Sequence, residues 1–164
     1  MTSTDAITVQ RATFQHADCI LECLRSAFAP YQHHYSAAGY EDTTLTRESL
    51  LRRLDDMTVF VALDLSERVL GTIACNVMGQ AEGHLRGMAV RPECQAHGIA
   101  DQLLQRAESE LVSQNCSRIT LDTTEPLQRA MRFYERHGYV RSGVLRDFFG
   151  MPLIEYVKVL RSTK

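Results

Sequence analysis

The chain predicts a mixed α/β domain of the α+β type, and three observations carry that prediction. Strand-like and helix-like patterns alternate along most of the 164 residues. A strand ending at Pro92 runs through a short polar loop into a helix that opens at Gly98, and a later helix is bracketed by Pro126 and Gly138. A strand–helix–strand order needs a crossover, so the strands flanking the first of these helices are expected to be parallel with a right-handed connection. With 45% hydrophobic and 23% charged residues, the chain has the composition of one domain, 1–164, long enough to bury a core.

Composition also excludes function classes. The formal net charge is −2, so the whole-chain field offers nothing to nucleic acid. No apolar run approaches the roughly 18 residues of a membrane span. The start Met1-Thr2-Ser3-Thr4-Asp5 lacks the basic residues and apolar run of a signal peptide, so a cytoplasmic location is expected. The cysteines Cys19, Cys23, Cys75, Cys94 and Cys116 contain no Cys-x-x-Cys and are odd in number, which fits no disulfide framework. Cys19 and Cys23, one helical turn apart, read as small core-facing residues, and no histidine set has metal-ligand spacing.

Taken in order, Ile7–Thr13 alternates apolar and polar and reads as an opening strand. A helix from His16 to Phe28 follows, with Ile20, Leu21, Leu24 and Phe28 at helical spacing, and Pro30 ends it. Tyr31–Thr44, with three tyrosines and a His33-His34 pair, has no clean period. It fits either a surface loop with one helical turn or a wall of a binding pocket. Thr46–Leu54 is a second helix capped by Thr44 or Thr46. Thr58–Leu63 and Val69–Met78 form a hairpin, and Gly79–Gly83 turns the chain into the strand that ends at Pro92. Leu103, Leu104, Ala107, Leu111 and Val112 give the next helix its apolar stripe, and Arg118–Thr123 is a short strand. In 126–139, proline in the first turn and glycine past the end punctuate a helix whose Leu127, Ala130, Met131 and Tyr134 share a face. Val140–Leu145 and Leu153–Leu160 are the last strands, joined by Arg146–Pro152.

The loop Gln95-Ala96-His97-Gly98-Ile99-Ala100 carries the first chemistry. The first amides of a helix lack intrahelical partners and sit at the positive end of its dipole, so a diphosphate fits there. Gly98, without a Cβ, lets an oxygen come close. The phosphate loop of nucleotide hydrolases needs a lysine and a hydroxyl after its last glycine; Ile99 and Ala100 stand there instead.

This stretch resembles the acetyl-CoA signature of the GCN5-related N-acetyltransferases, Gln/Arg-x-x-Gly-x-Gly/Ala after a strand ending in x-Val-x-Pro. Gln95, Gly98 and Ala100 fill its diagnostic places, with Val90 and Pro92 before them. The run Ala130 to Tyr139 resembles the second hallmark, Ala-x-x-Phe-Tyr-Glu-x-x-Gly-Phe/Tyr. The two in order cover nearly the whole chain with its elements. One place departs: where members commonly carry an asparagine three residues before the alanine, this chain has Leu127, a lost polar contact of about 1 kcal/mol.

The resemblance implies a central mixed sheet of six or seven strands flanked by about four helices, with the two central strands splayed apart. It implies acetyl-CoA as cofactor, its pantetheine paired with the backbone of Met88, Ala89 and Val90 as a pseudo-strand. Its diphosphate would lie on the amides of Gln95, Ala96, His97, Gly98, Ile99 and Ala100, with Thr123, Leu127, Ala130 and Phe133 completing the contacts. The reaction implied is attack of a neutral amine on a thioester, in a ternary complex. A primary alkylamine has a pKa near ~10.4, so a base must take its proton, and the thiolate leaving group benefits from a donor. Tyr134 matches the tyrosine that many members aim at the sulfur, a place that equally suits core packing.

His84 stands where members carry a catalytic glutamate or histidine, and imidazole titrates near ~6.5, suited to a base acting directly or through water. A strand-end surface histidine is the bland alternative, and Glu82 or Asp147 are competing carboxylates. His84, Arg86, Met88 and Val90 are expected to alternate onto one face of their strand, with Met88 or Ala89 supplying an amide for the oxyanion. Phe28, Tyr31, Tyr35, Arg86, Asp147 and Phe148 are the expected acceptor-site residues. The expected partner is a small-molecule or peptide amine, with no nucleic acid and no membrane; a homodimer stays open. A CoA-binding sensor without turnover, an enzyme acylating proteins or aminoacyl-tRNA, and O-acyl transfer remain alternatives, and the acceptor's identity is not legible.

Overall fold

The structure is a computed structural model that describes residues 6–160. These residues form seven strands and five α-helices. In chain order they are β1 (Thr8–Arg11), α1 (Ala17–Phe28), α2 (Ala37–Thr44), α3 (Arg47–Asp56), β2 (Thr58–Leu63), β3 (Val69–Gly79), β4 (Glu82–Val90), α4 (Ile99–Ser113), β5 (Arg118–Thr124), α5 (Gln128–Arg136), β6 (Val140–Phe148) and β7 (Met151–Val159). The sheet order is β1-β2-β3-β4-β5-β7-β6. Every neighbouring pair is antiparallel except β4 and β5, which are parallel as the crossover through α4 requires.

Helices cover both faces of the sheet. On one face Ile99, Leu103, Leu104, Ala107 and Leu111 of α4 pack with Met131 and Tyr134 of α5 over Ile73, Cys75, Leu85, Ile119 and Leu121. On the other, Ile20, Leu24 and Phe28 of α1 pack with Leu50 of α3 over Val59, Val61, Ala74 and Ala89. The helical periodicity thus becomes two separate cores, each burying a stripe that would otherwise face water. Burial pushes the Cys23 and Cys75 thiols up to about 12, so both behave as inert core residues, whereas Cys19 is only half-buried.

Two glycines set how close α4 lies to the sheet. A Cβ on Gly71 would stand 2.9 Å from Leu103 Cδ1 and 3.0 Å from the Ala89 carbonyl oxygen. One on Gly83 would stand 2.7 Å from Leu111 Cδ1. The missing side chains let the leucines of α4 seat directly on β3 and β4, which fixes where the start of α4 falls.

Several expectations need correction. The segment after Phe28 is not a loop with one turn: a 3₁₀ stretch, Ala29–His34, carries Pro30, and α2 adds a fifth helix capped by the Ser36 hydroxyl, which accepts from Gly39 N at 3.2 Å. α1 does end at Phe28, as expected, and Pro30 sits in the first turn of the 3₁₀ stretch, where its absent N–H would be unpaired anyway. The connection Arg146–Pro152 shrinks to the pair Phe149-Gly150, both with positive φ, because β6 and β7 pair as far as Phe148↔Met151. The opening strand is only Thr8–Arg11, and α5 begins at Gln128 with Leu127 as its cap residue, so Pro126 precedes the first turn.

The expectation that His84, Arg86, Met88 and Val90 share a face is also wrong. Gly87, at φ +65°, places a bulge in β4: Arg86 pairs with Ala74 but Ala89 already pairs with Thr72. One extra residue reverses the side-chain alternation. His84 and Arg86 therefore face the α1 and α3 side, while Met88 and Val90 pack on the α4 side.

Gly71→Val should destabilise the fold by about 1–3 kcal/mol through overpacking against Leu103 and Ile99. A lower urea midpoint with an unchanged slope would be the expected record.

Candidate active site

Parallel pairing of β4 with β5 runs only from Glu82↔Arg118 to Leu85↔Leu121. Beyond it Arg86–Val90 and Asp122–Thr124 have no ladder between them, so the sheet opens at its centre. The opening is part of a cavity of about 840 Å³ that reaches from the loop before α4 to residues of α1, α3 and β3. Because the gap passes between the strands, groups from both faces of the sheet reach the same space.

At the loop end, Gly98 is the cap residue of α4 in the left-handed conformation, φ +78°, with nothing within 4 Å of where a Cβ would be. Ala96 also has positive φ, so alternating backbone signs turn the amides of this loop toward a common concavity, an anion-binding arrangement. Gln95 points inward to the protein: its Nε2 donates to the Val90 carbonyl at 3.2 Å, and Arg129 Nη1 donates to its Oε1 at 2.7 Å. It braces strand to loop and presents Arg129, which also lines the cavity. The side chain of His97 is exposed and does not line the cavity.

In the gap, Arg91 N donates to the Leu70 carbonyl on β3. Strand alternation then turns the Val90 N–H toward the opening, its carbonyl being held by Gln95 Nε2, and turns the peptide groups of Ala89 back toward Thr72. An oxyanion-directed amide accordingly falls to Met88 rather than Ala89. Thr123 Oγ1 is buried with no hydrogen-bond partner. A buried hydroxyl without a partner at a sheet opening fits an amide-bearing chain lying between the strands, as a pantetheine arm would. Open space at Gly98, inward-turned amides and this hydroxyl together fit coenzyme A.

Tyr134 is buried in the α4-side core, with its ring edge-on to Tyr139 and Phe133, and it lines the cavity. Burial pushes its hydroxyl well above the usual phenol range, so it stays protonated. His84 comes from the opposite face. Its Nδ1 is 2.9 Å from Thr120 Oγ1 on β5, and its Nε2 is 3.7 Å from Asp122 Oδ2. The latter distance is beyond a hydrogen bond, so Nε2 has no hydrogen-bond partner among the described residues, with the Asp122 carboxylate close enough to favour an imidazolium. Desolvation lowers the His84 pKa, opposed by Asp122 and reinforced by Arg86. Burial raises that of Asp122, with His84 and Arg146 pulling it back. Arg146 Nη1 also reaches Glu155 Oε2 at 3.0 Å.

Of the acceptor-site residues expected from sequence, Phe28, Tyr31, Tyr35, Arg86 and Phe148 line the cavity. Tyr35 is anchored there by a 2.6 Å hydrogen bond between its hydroxyl and Thr124 Oγ1. Asp147 does not line it: its carboxylate accepts from Gly150 N at 3.3 Å in the β6–β7 turn, which removes it from the competing bases. Glu82 does line it. Sequence reasoning missed Thr120, Asp122, Arg53 and Arg129. Asp122 had a signal, as the one carboxylate in β5, but its partner depends on the β4–β5 register.

The profile of the acetyltransferase (GNAT) family matches residues 20–139. The chain belongs to this family. Acetyl-CoA is thereby its acetyl donor, and the chain is an acyltransferase by family. Solved structures with the same fold include the PaiA N-acetyltransferase of Thermoplasma acidophilum in complex with coenzyme A. It is 18% identical with a TM-score of 0.77, over 94% of this chain and 99% of that one. The ribosomal-protein-S18-alanine N-acetyltransferase of Escherichia coli is 14% identical with a TM-score of 0.76, over 96% of both chains. A GNAT-family acetyltransferase of Staphylococcus aureus is 19% identical with a TM-score of 0.76, over 95% of this chain and 100% of that one. Among the described residues no helix is long and apolar enough to cross a membrane, and no group of side chains could hold a metal.

The electrostatics predict a titration order. His84 should titrate below its ordinary value near 6.5 by NMR; Asp122→Asn should lower it further, and Arg86→Gln should raise it. With a lowered folded-state pKa, the unfolded chain binds more protons here as pH falls. The stability contributed by neutral His84 is complete above pH ~6.5 and is lost as pH drops through that value toward the folded pKa.

Proposed function

We propose that this family member is an N-acetyltransferase that moves the acetyl group of acetyl-CoA to a small-molecule or peptide amine by direct attack in a ternary complex. The observation that carries the proposal is the cavity through the opened sheet, where His84 arrives from one face and Tyr134 from the other. A sensor that only binds coenzyme A would have no use for a buried histidine braced by Thr120 and Asp122.

In this reading the amides of 96–100 and Arg129 hold the diphosphate, and Val90 and Thr123 hold the arm in the gap. The donor supplies an activated thioester. His84 Nε2 takes a proton from the incoming ammonium or, through water, during attack; its lowered pKa keeps it neutral at pH 7, and Asp122 stabilises the charge it gains. The Met88 amide faces the developing oxyanion. Tyr134 serves the departing sulfur. A phenol above its usual range holds its proton more tightly than a thiol of pKa ~8.5, so Tyr134 acts chiefly by donating a hydrogen bond to the sulfur as negative charge forms there. The free cysteines support a reducing, cytoplasmic setting.

Tyr134→Phe keeps the ring and its packing, so folding should survive while kcat falls about 10²-fold. Turnover within twofold of wild type would reduce Tyr134 to packing. His84→Gln should remove the acidic limb of the kcat/KM profile with a given amine, and Gly98→Asp should abolish coenzyme A binding in calorimetry by setting a carboxylate against the diphosphate. Retained affinity in that variant would end the loop assignment. Absence of acetyl transfer across a broad amine panel, with coenzyme A still bound, would favour the sensor.

A further inference from the structure

The acceptor end of the cavity is charged in an uneven way. Arg53 of α3 lies half-buried along its wall, and among the described residues it has neither an ion pair nor a side-chain hydrogen-bond partner. Its guanidinium rests on the bulge of β4: a Cβ at Gly87 would stand 2.5 Å from Arg53 Nη1. Arg86 opens into the same space, and its one carboxylate neighbour, Asp42, is 3.6 Å away at Nη2. Among the described residues Asp42 is the one carboxylate within 4 Å of either guanidinium, while Glu82, Asp122 and Glu155 line the cavity farther from them. Burial and the neighbouring Arg86 lower the Arg53 pKa to about 10, which leaves it charged at neutral pH.

A cation partly withdrawn from water and without a partner carries a desolvation cost that an anionic ligand would offset. Two residues back along β4, on the same face, His84 and Asp122 form the opposite pole, where an ammonium is attracted and deprotonated. Side chains two apart on a strand face are roughly 6.6 Å from one another, so a molecule of amino-acid size reaches both.

Resting on the transferase reading above, we infer that the acceptor is an amino carboxylate, bound with its carboxylate on Arg53 and Arg86 and its amine toward His84 and Asp122. Guanidinium forks suit carboxylates through paired hydrogen bonds. Polyamines and aminoglycosides would bring further positive charge against the two arginines and are disfavoured.

The test compares matched acceptors: a set of amino acids, their carboxamides, and the corresponding amines lacking the carboxyl group, with thiol release as readout. The carboxylate form should exceed its carboxamide in kcat/KM by about 10²-fold, mostly through KM. Arg86→Gln, a change at a half-exposed side chain, should collapse that ratio to within a few-fold, as should Arg53→Gln if that variant folds. Carboxamides or simple amines turned over as well as the acids, or polyamines preferred, would overturn the inference. Calorimetry separates it from the transferase reading: N-acetylamino acids and their amides are titrated into the coenzyme A complex. A carboxylate preference that depends on Arg86 supports the inference even if no amine is turned over, whereas equal affinity for acid and amide overturns it.

Discussion

Everything that makes this fold a catalyst depends on the parallel ladder between β4 and β5 ending after Leu85 and Leu121. A continuous sheet would bury its peptide groups in its own hydrogen bonds and keep its two faces apart. Where the strands part, the Val90 N–H turns toward an open gap, Thr123 keeps a hydroxyl without a partner, and a histidine and a tyrosine from opposite faces share one cavity. The strands on either side of the gap stay paired, β4 on β3 across its bulge and β5 on β7 along its whole length, so the opening is held by strands rather than by loops.

The bulge at Gly87 works with the opening. It divides β4 into two registers: before it, His84 and Arg86 serve the acceptor side; after it, Met88 and Val90 serve the donor side. The positive φ that the bulge needs favours glycine, and the absent side chain is where Arg53 rests. One residue thus sets the direction of the His84 side chain and makes room for a cation. On the far face, Gly71 and Gly83 let α4 lie close to the sheet, which carries Gly98 and its amides to the mouth of the gap.

Charge in the cavity follows geometry rather than composition. The chain's net charge of −2 says nothing of a site with arginines at one pole, a histidine–aspartate pair in the middle and open helix amides at the other pole. Burial gives these groups their character, lowering the His84 pKa and raising that of Tyr134, so both shifts favour the neutral side chain.

Much was legible in the chain itself. Apolar periodicity located α1, α3, α4 and α5 and nearly every strand, because each element buries one face and so carries its own period. Gly98 and the run to Tyr139 marked the start of α4 and the helix that carries Tyr134, since helix capping and apolar spacing leave local marks. The stretch Tyr31–Thr44 was not legible, because α2 is held by Ser36 and by contacts to Phe148 rather than by an apolar stripe of its own. Nor was the face of Val90, which depends on a bulge that exists only in the pairing with β3. Arg53 and Asp122 meet the site from α3 and β5, far from its motifs. Sequence by itself determined most of the elements, the sheet's crossover and the glycine that opens α4, whose causes lie within a few residues. Tertiary structure alone decided which side chains face one another, because register, bulge and the packing of helices on the sheet are relations between distant segments.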